Sequence, residues 1–578
     1  MRFRRTGAVA LVAAFAALAA PASALAHAAL LRTSPQASVT VNHPPKEVRM
    51  TFSEAVEPRF ATVSVTDPQA TQETSGPSHR DAADPDTLVT PLKPNLAQGW
   101  YLVYWRVISA DGHPVKGAFL FSIGPNPGPQ PQFVIPSLTE SAATPGLLVA
   151  KWVTYLSAMC AVGLLLLRLF VVRDIPRRVA GASLRSVSTA FFVSIGIALV
   201  ATPIYGEMST AKFAQAGFFD FGTVVPLLTA SHFGKSLVDL EIVLALLALA
   251  GTVAIWLDAP LRKHRSVAAL LALVGALAAA GSALFIPGLA GHAAQTSPRW
   301  LSLLIDWFHL LSGSFWIGGL VGLLVLGWRL GELKVQALTV CVPRFSRLAL
   351  VSVLVLVGTG IGSALQHFPT LDSLWTTSYG KALLLKVIFL AGTIAIAAVN
   401  FSRTAPTFRR AAAGEPGAGA SASSLLRILV SGEVLLVAGA FFGAALLTSL
   451  APPPKALASL GSINAHVSGS GGATVKKNGY ELHFHFTPNR AAVPNTFAVT
   501  ITKDGKPVSG ADVTAKFTML DMEMQQVGYT LPESSPGSYK RANTPALVMV
   551  GRWGVGFDIR PRGSSAPLDV LLLDHATG

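Results

Sequence analysis

Three residues near the start of the chain have the types and spacing to hold a metal ion. If the chain is cleaved after Ala26, His27 becomes the N-terminus and carries a free α-amine beside its imidazole. Those two nitrogens can chelate one ion near neutral pH, where the amine titrates. Asp111 and His113 are two residues apart, so on extended backbone both side chains share one face. An amine, two imidazoles and a carboxylate form a nitrogen–oxygen set suited to tetragonal Cu(II); Zn(II) would accept the same set, generally less tightly. The plainer reading of these residues is a frayed terminus and a turn. Cleavage is expected because Arg2, Arg4 and Arg5 precede the apolar run Ala8–Ala20, and Ala24-Leu25-Ala26 supplies the small-x-small pattern of a secretory signal over 1–26.

A second group of ionisable residues lies in or beside long apolar runs, where burial of charge is expensive and marks function by default. Glu207 ends the second run, Asp239 and Glu241 begin the third, and His292 lies in the loop before the fifth. Asp306 and His309 sit inside the fifth run at i, i+3, one helix face, and Lys386 is near the start of the seventh. Carboxylate and imidazole suit copper or protons; the competing reading is that these groups cap helices or pair with one another. Asn400 and Glu433 fall in the opposite half and would continue a path. In the last part of the chain His483 and His485 alternate, as do Met522 and Met524, so each pair faces one side of a strand. Imidazoles and thioethers suit Cu(I); otherwise the methionines pack a core and the histidines are exposed.

The elements that position these residues are legible in outline. Val48–Phe52, Ala61–Thr66, Trp100–Ile108 and Ala118–Ile123 are strand-like and separated by turn residues, predicting a small β domain over 27–124. A Pro-rich linker, 125–145, follows. Eight apolar runs predict membrane helices at about 146–167, 186–205, 236–257, 266–287, 301–327, 348–366, 382–401 and 426–449, within a membrane region of 146–450. A second linker, 451–462, leads to 463–578, where Glu481–Phe486, Thr496–Thr502, Asp512–Phe517 and Trp553–Ile559 predict a second β-sandwich. Asp504-Gly505 in this region repeats the Asp111-Gly112 pattern and reads as turn chemistry.

The 578 residues are 51% apolar and 13% charged, with mean hydropathy +0.51, which excludes an ordinary soluble protein. The net charge of +15 would suggest nucleic acid on a soluble chain. Its distribution argues otherwise. Loops 168–185, 258–266, 328–347 and 402–427 hold sixteen Lys/Arg, and the alternate loops 206–235, 288–300 and 367–381 hold four. The basic set is therefore cytoplasmic, and 27–145 and 451–578 lie on the extracytoplasmic side of the cytoplasmic (inner) membrane. No nucleic-acid partner is expected. The absence of GxxxxGK[ST] argues against an ATP-driven pump, and Cys160 and Cys341, the only cysteines, are expected as free thiols.

Residues 27–124 resemble the CopC copper-resistance family through His27-Ala28, Thr51-Phe52-Ser53-Glu54, Tyr104-Trp105-Arg106-Val107 and Ser109-Ala110-Asp111-Gly112-His113-Pro114. The resemblance implies a cupredoxin-like Greek-key β-barrel that binds Cu(II) through His27, Asp111 and His113, with Glu54 beside the ligands. The family's methionine-rich Cu(I) loop is missing, since Met50 is the only methionine here. The membrane region resembles the CopD copper-resistance family through Gly291-His292-Ala293, Asp306-Trp307-Phe308-His309-Leu310, Phe315-Trp316-Ile317-Gly318-Gly319-Leu320, Phe345-Ser346-Arg347-Leu348 and Tyr379-Gly380-Lys381 with Asn400. These stretches cover about 290–401. Residues 463–578 resemble the YtkA-like family, an Ig-like β-sandwich, through Met519-Leu520-Asp521-Met522-Glu523-Met524, Pro536-Gly537-Ser538-Tyr539 and Gly551-Arg552-Trp553-Gly554-Val555. Together these imply a multidomain, non-enzymatic copper-handling membrane protein that carries copper inward, with copper ions, the lipid bilayer and other extracytoplasmic copper chaperones as partners. A copper-dependent oxidoreductase and a haem-bearing electron-transfer bundle are the alternatives.

Overall fold

The computed structural model describes residues 28, 30–36, 39–108, 114–128, 144–296, 298–412, 415, 418–450, 452–453, 463–491, 493–520, 526–548, 551–563 and 566–577. The expected signal, His27, Asp111, His113, Met522, Met524 and most of both linkers lie outside them.

The first β domain consists of β1 (Leu30–Ser34), β2 (Thr40–Val41), β3 (Glu47–Phe52), β4 (Thr62–Thr66), β5 (His79–Arg80), β6 (Thr87–Pro91), β7 (Gly99–Ile108) and β8 (Pro114–Ile123). They form two four-stranded sheets, β1-β3-β6-β5 and β2-β8-β7-β4. Alternation in β3 puts Val48, Met50 and Phe52 inside, where they meet Trp105, Val107, Val115 and Phe121 from the other sheet. The Phe52 and Trp105 rings meet edge to face at 5.5 Å. The Trp105 indole lies over Gly117, where a Cβ would come within 2.8 Å of the ring.

Eight helices among the described residues are long and apolar enough to cross a membrane. They are α1 (Pro145–Leu166), α2 (Arg185–Ala214), α3 (His232–Leu257), α4 (Val267–Ala290), α5 (Arg299–Arg329), α6 (Lys334–His367), α7 (Ser378–Val399) and α8 (Ala418–Leu447). Each coincides with an expected span, but several run on past the apolar stretch. Residues 334–347, read from sequence as part of a basic loop, are the first turns of α6. Lys, Gln, Ala, Leu and Arg in that stretch are good helix formers, so the helix continues after the hydropathy falls. Glu207 likewise lies inside α2 rather than at its end. Central to the bundle is the crossing of α1 and α5, where Gly163 lies against the Ser314 carbonyl and Gly318 against the Gly163 backbone. Small residues permit this approach, which packs membrane helices without a hydrophobic driving force. Cys160 and Cys341 are buried and free, as expected.

The C-terminal β domain contains β9 (Ile463–Ser468), β10 (Gly471–Lys477), β11 (Tyr480–Thr487), β12 (Asn495–Lys503), β13 (Lys506–Pro507), β14 (Asp512–Met519), β15 (Val527–Thr530), β16 (Glu533–Ser535), β17 (Ser538–Thr544), β18 (Gly551–Arg560) and β19 (Leu568–Ala576). Two sheets, β10-β11-β12-β17-β16 with β13 on β12, and β15-β14-β18-β19-β9, enclose Phe484, Phe486, Phe497, Phe517, Trp553 and Phe557. The turn between β12 and β13 places Asp504 (φ 50°) and Gly505 (φ 74°) in the left-handed region, which their types favour.

Both β domains touch the same end of the bundle. Arg106 donates from Nη1 to the Phe213 carbonyl at the end of α2 (2.9 Å), and Phe60 and Ile108 pack on Phe213. Arg552 donates from Nη2 to Ser378 Oγ at the start of α7 (3.1 Å) and from Nη1 to the Thr376 carbonyl. An even number of spans requires this common side.

Candidate functional site

Ala28 is fully buried in the first β domain, so the chain just after His27 is anchored in the core. Ile108 pairs with Pro114, the last and first residues of β7 and β8, so the segment carrying Asp111 and His113 joins two hydrogen-bonded strands. Glu54 is half-buried two residues beyond Phe52. The described residues therefore contain the scaffold of this expected site and Glu54, but not its three ligands.

Inside the bundle, α5 presents Asp306 and His309 on one face, and three other helices meet them. His309 donates from Nδ1 to Thr359 Oγ1 on α6 (3.0 Å), whose own proton goes to the Val355 carbonyl (2.7 Å). That leaves Nε2 as an acceptor for Lys386 Nζ on α7 (3.2 Å). The resulting imidazole is neutral, with its tautomer set by Thr359. Asp306 lies against α4 at Gly288, where a Cβ would come within 2.8 Å of Oδ2, and the Gly360 backbone borders the His309 ring. Lys386 lies close enough to Asp306 for their charges to interact. Trp307 donates to the Gly281 carbonyl (2.9 Å), locking the rotation of α5 against α4. Lys386 Nζ thus occupies the lone-pair side of the His309 imidazole inside the bundle.

The other expected residues are distributed unevenly. Glu207 is buried in α2, and its Oε1 receives no hydrogen bond among the described residues. The same holds for Glu241 Oε2 on α3. Asp239 is exposed on α3 and is not brought to the interior. His292 opens a short helix, His292–Gln295, and its ring lies 6.4 Å from that of His367 at the end of α6. His367 escaped the sequence reading because it stands where the apolar run stops. Asn400 donates to Glu433 Oε1 (3.1 Å), linking α7 and α8, and Glu433 is almost fully buried. His483 and His485 are exposed on one face of β11, with His483 Nδ1 2.9 Å from Thr474 Oγ1. Among the described residues no three His, Cys, Asp or Glu side chains converge as a ready metal cage. Lys386, Thr359 and Gly288 belong to the Asp306–His309 site but carry no spacing signal linking them to it.

Comparison with known proteins matches residues 30–124 to the CopC domain, 340–447 to copper resistance protein D, and 474–557 to the YtkA-like family. The copper resistance protein D match begins beyond Asp306 and His309. The copper transport protein CutJ of Bacillus subtilis (strain 168) is 26% identical over 548 residues, covering 93% of each chain. Protein YobA of Escherichia coli (strain K12) is 37% identical over 101 residues, 18% of this chain and 82% of YobA. Copper resistance protein C of Xanthomonas campestris pv. juglandis is 36% identical over 117 residues, 19% of this chain and 88% of that protein. The chain is thus a multi-pass membrane protein that carries a CopC domain, a copper resistance protein D match and a YtkA-like domain in that order, with eight helices long and apolar enough to cross a membrane among the described residues.

Proposed function

We propose that this protein captures Cu(II) outside the cytoplasmic membrane and carries copper inward. His27, Asp111 and His113 form the capture site, with Glu54 beside it, and the Asp306–His309 pair is the principal station within the bundle. Glu207, Glu241 and His292 lead to it from the extracytoplasmic end, and Asn400 and Glu433 continue beyond it. The observation that carries this reading is the convergence of α4, α5, α6 and α7 on the Asp306–His309 pair, with His309 Nε2 at 3.2 Å from Lys386 Nζ. Copper arriving at that nitrogen takes the place of the ammonium, and Asp306 supplies negative charge to either cation, as buried charges require a partner. Sixteen basic residues in alternate loops support the inward orientation of the far end. The name of CutJ, a copper transport protein aligned over 93% of both chains, supports transport over simple storage.

The test is copper accumulation in cells lacking the protein and complemented with wild type or His309→Ala. The variant is expected to lose the accumulation that wild type restores. Unchanged accumulation in His309→Ala would remove the bundle station from the pathway.

A further inference from the structure

We infer that His292 and His367 form a two-coordinate Cu(I) site at the end of the bundle facing the β domains, a site that rests on the copper-carrying reading above. His292 is buried at the start of the short helix after α4, and His367 closes α6. Their ring centroids are 6.4 Å apart with planes inclined at 59°. A metal bound to an imidazole nitrogen at about 2.0 Å lies about 3.2 Å from that ring's centroid. Two imidazoles sharing one ion in a near-linear arrangement therefore have centroids about 6.4 Å apart, whereas a tetrahedral angle would bring them to about 5.2 Å. The observed separation fits the linear arrangement. Among biological metals that bind imidazole, Cu(I) is the one that accepts two nitrogens in line without further ligands.

The surroundings orient the rings as they do in metal sites. His367 donates from Nδ1 to the Ser363 carbonyl at 2.8 Å, which sets its lone pair on Nε2, the usual arrangement for a ligating histidine. Thr296 donates to the His292 carbonyl (2.8 Å) and its Oγ1 stands 3.4 Å from His367 Nε2, so one side chain borders both histidines. Tyr379 stacks on His367 from α7, its centroid at 6.4 Å and its plane at 28°, and the Phe368 ring covers Tyr379. This apolar cover limits water, and the two imidazoles favour a monovalent, nitrogen-preferring ion over a hard divalent one. Along α6, His367 is eight residues from Thr359, the partner of His309, which is about 12 Å of helix. The pair therefore stands one step above the Asp306–His309 station. Arg552 fixes the C-terminal domain beside it at Thr376 and Ser378, close to Tyr379.

The experiment uses the full chain in lipid nanodiscs, with Cu(I) delivered under reductant against a chromophoric chelator and Ag(I) as a redox-inert surrogate. His367→Ala and His292→Ala are each expected to weaken one Cu(I) equivalent by about 100-fold or more, and the double variant no further. His309→Ala should keep that equivalent, and Cu(II) bound by the N-terminal domain should be unaffected. X-ray absorption on the wild type should show two nitrogen neighbours. In unmutated protein, Ag(I) should protect both histidines from carbethoxylation, a readout independent of whether the variants fold. Full Cu(I) retention by both variants, absence of protection, or a haem absorption band in the purified protein would overturn the site. If wild type binds this Cu(I) but restores no copper accumulation in cells, the transport reading fails and the site stands. If accumulation is restored while Ag(I) protects neither histidine, the site fails and the transport reading stands.

Discussion

The α1–α5 crossing offers the sharpest test of how the bundle holds its central site. A Cβ on Gly163 would lie 1.8 Å from the Ser314 carbonyl oxygen, and one on Gly318 would lie 2.5 Å from the Gly163 Cα. Both obstacles are backbone, so no side chain can swing aside. Restoring an ordinary contact of about 3.5 Å requires the helices to part by about 1.7 Å at Gly163→Ala and about 1.0 Å at Gly318→Ala. Overpacking of this kind costs about 1–3 kcal/mol, and a backbone-to-backbone clash belongs at the upper end. His309 is nine residues from Gly318 on the same helix, about 13.5 Å away, so a displaced α5 moves the imidazole relative to Lys386 and Thr359. The assay is thermal unfolding of the purified protein followed by tryptophan fluorescence, together with copper accumulation in complemented cells. Gly163→Ala should lower the midpoint by roughly 3–5 °C, with a parallel loss of accumulation. Gly196→Ala is the control: nothing lies within 4 Å of its Cβ position on α2. There the gain in helix propensity, about 1 kcal/mol, should leave the midpoint unchanged or raise it. A Gly163→Ala protein melting with the wild type would refute the argument that this contact sets the bundle.

Two further outcomes follow from buried charge. Asp258, 7% exposed, accepts from Arg168 Nη1 at 3.0 Å and Arg173 Nε at 2.7 Å, with Arg265 Nε at 3.5 Å. Asp258→Ala leaves Arg168 and Arg173 buried and uncompensated, an expected loss of about 3–5 kcal/mol, seen as reduced folded protein in membranes; wild-type yield and melting would contradict it. In the C-terminal domain, burial pushes the Asp574 carboxyl up to about 6, although Asn489 donates to it at 2.7 Å. An acid raised above its unfolded value near 4 contributes fully below that value and loses its contribution as pH rises through about 6, about 3 kcal/mol in all. Hydrogen exchange of β18 and β19 in the full chain should thus be more protected near pH 4 than at pH 7, and Asp574→Asn should flatten that slope. An identical slope in the variant would refute the assignment.

The eight spans were legible because a membrane helix needs a long apolar run and little else, whereas strands as short as His79–Arg80 carry no periodicity to detect. The Asp306–His309 pair could be found from its i, i+3 spacing. Of its partners, Lys386 stood out only as an ionisable residue in the seventh run, and Thr359 and Gly288 not at all, since all three come from other helices and only packing brings them together. Some residues behind the CopD resemblance prove to be packing positions. Gly319 faces the Phe345 ring, which would lie 2.0 Å from a Cβ there, and Phe315 stacks on Phe345 at 5.8 Å. Gly380 is held against the Ser373 carbonyl, 2.2 Å from its Cβ position. The resemblance in this region thus reports helix contacts that orient α5, α6 and α7 around His309.

The charge balance acquires a second meaning in three dimensions. Counted along the sequence, Arg168, Arg173 and Arg265 are topology signals on the basic side of the bundle. In the structure they converge from the end of α1 and the start of α4 on one aspartate at the end of α3. Arg344 at the base of α6 reaches Asp174 at 3.1 Å in the same manner. A loop excess of positive charge needs only to repel translocation; it does not need buried carboxylate partners. Those partners tie α1, α3, α4 and α6 together at the end opposite the β domains.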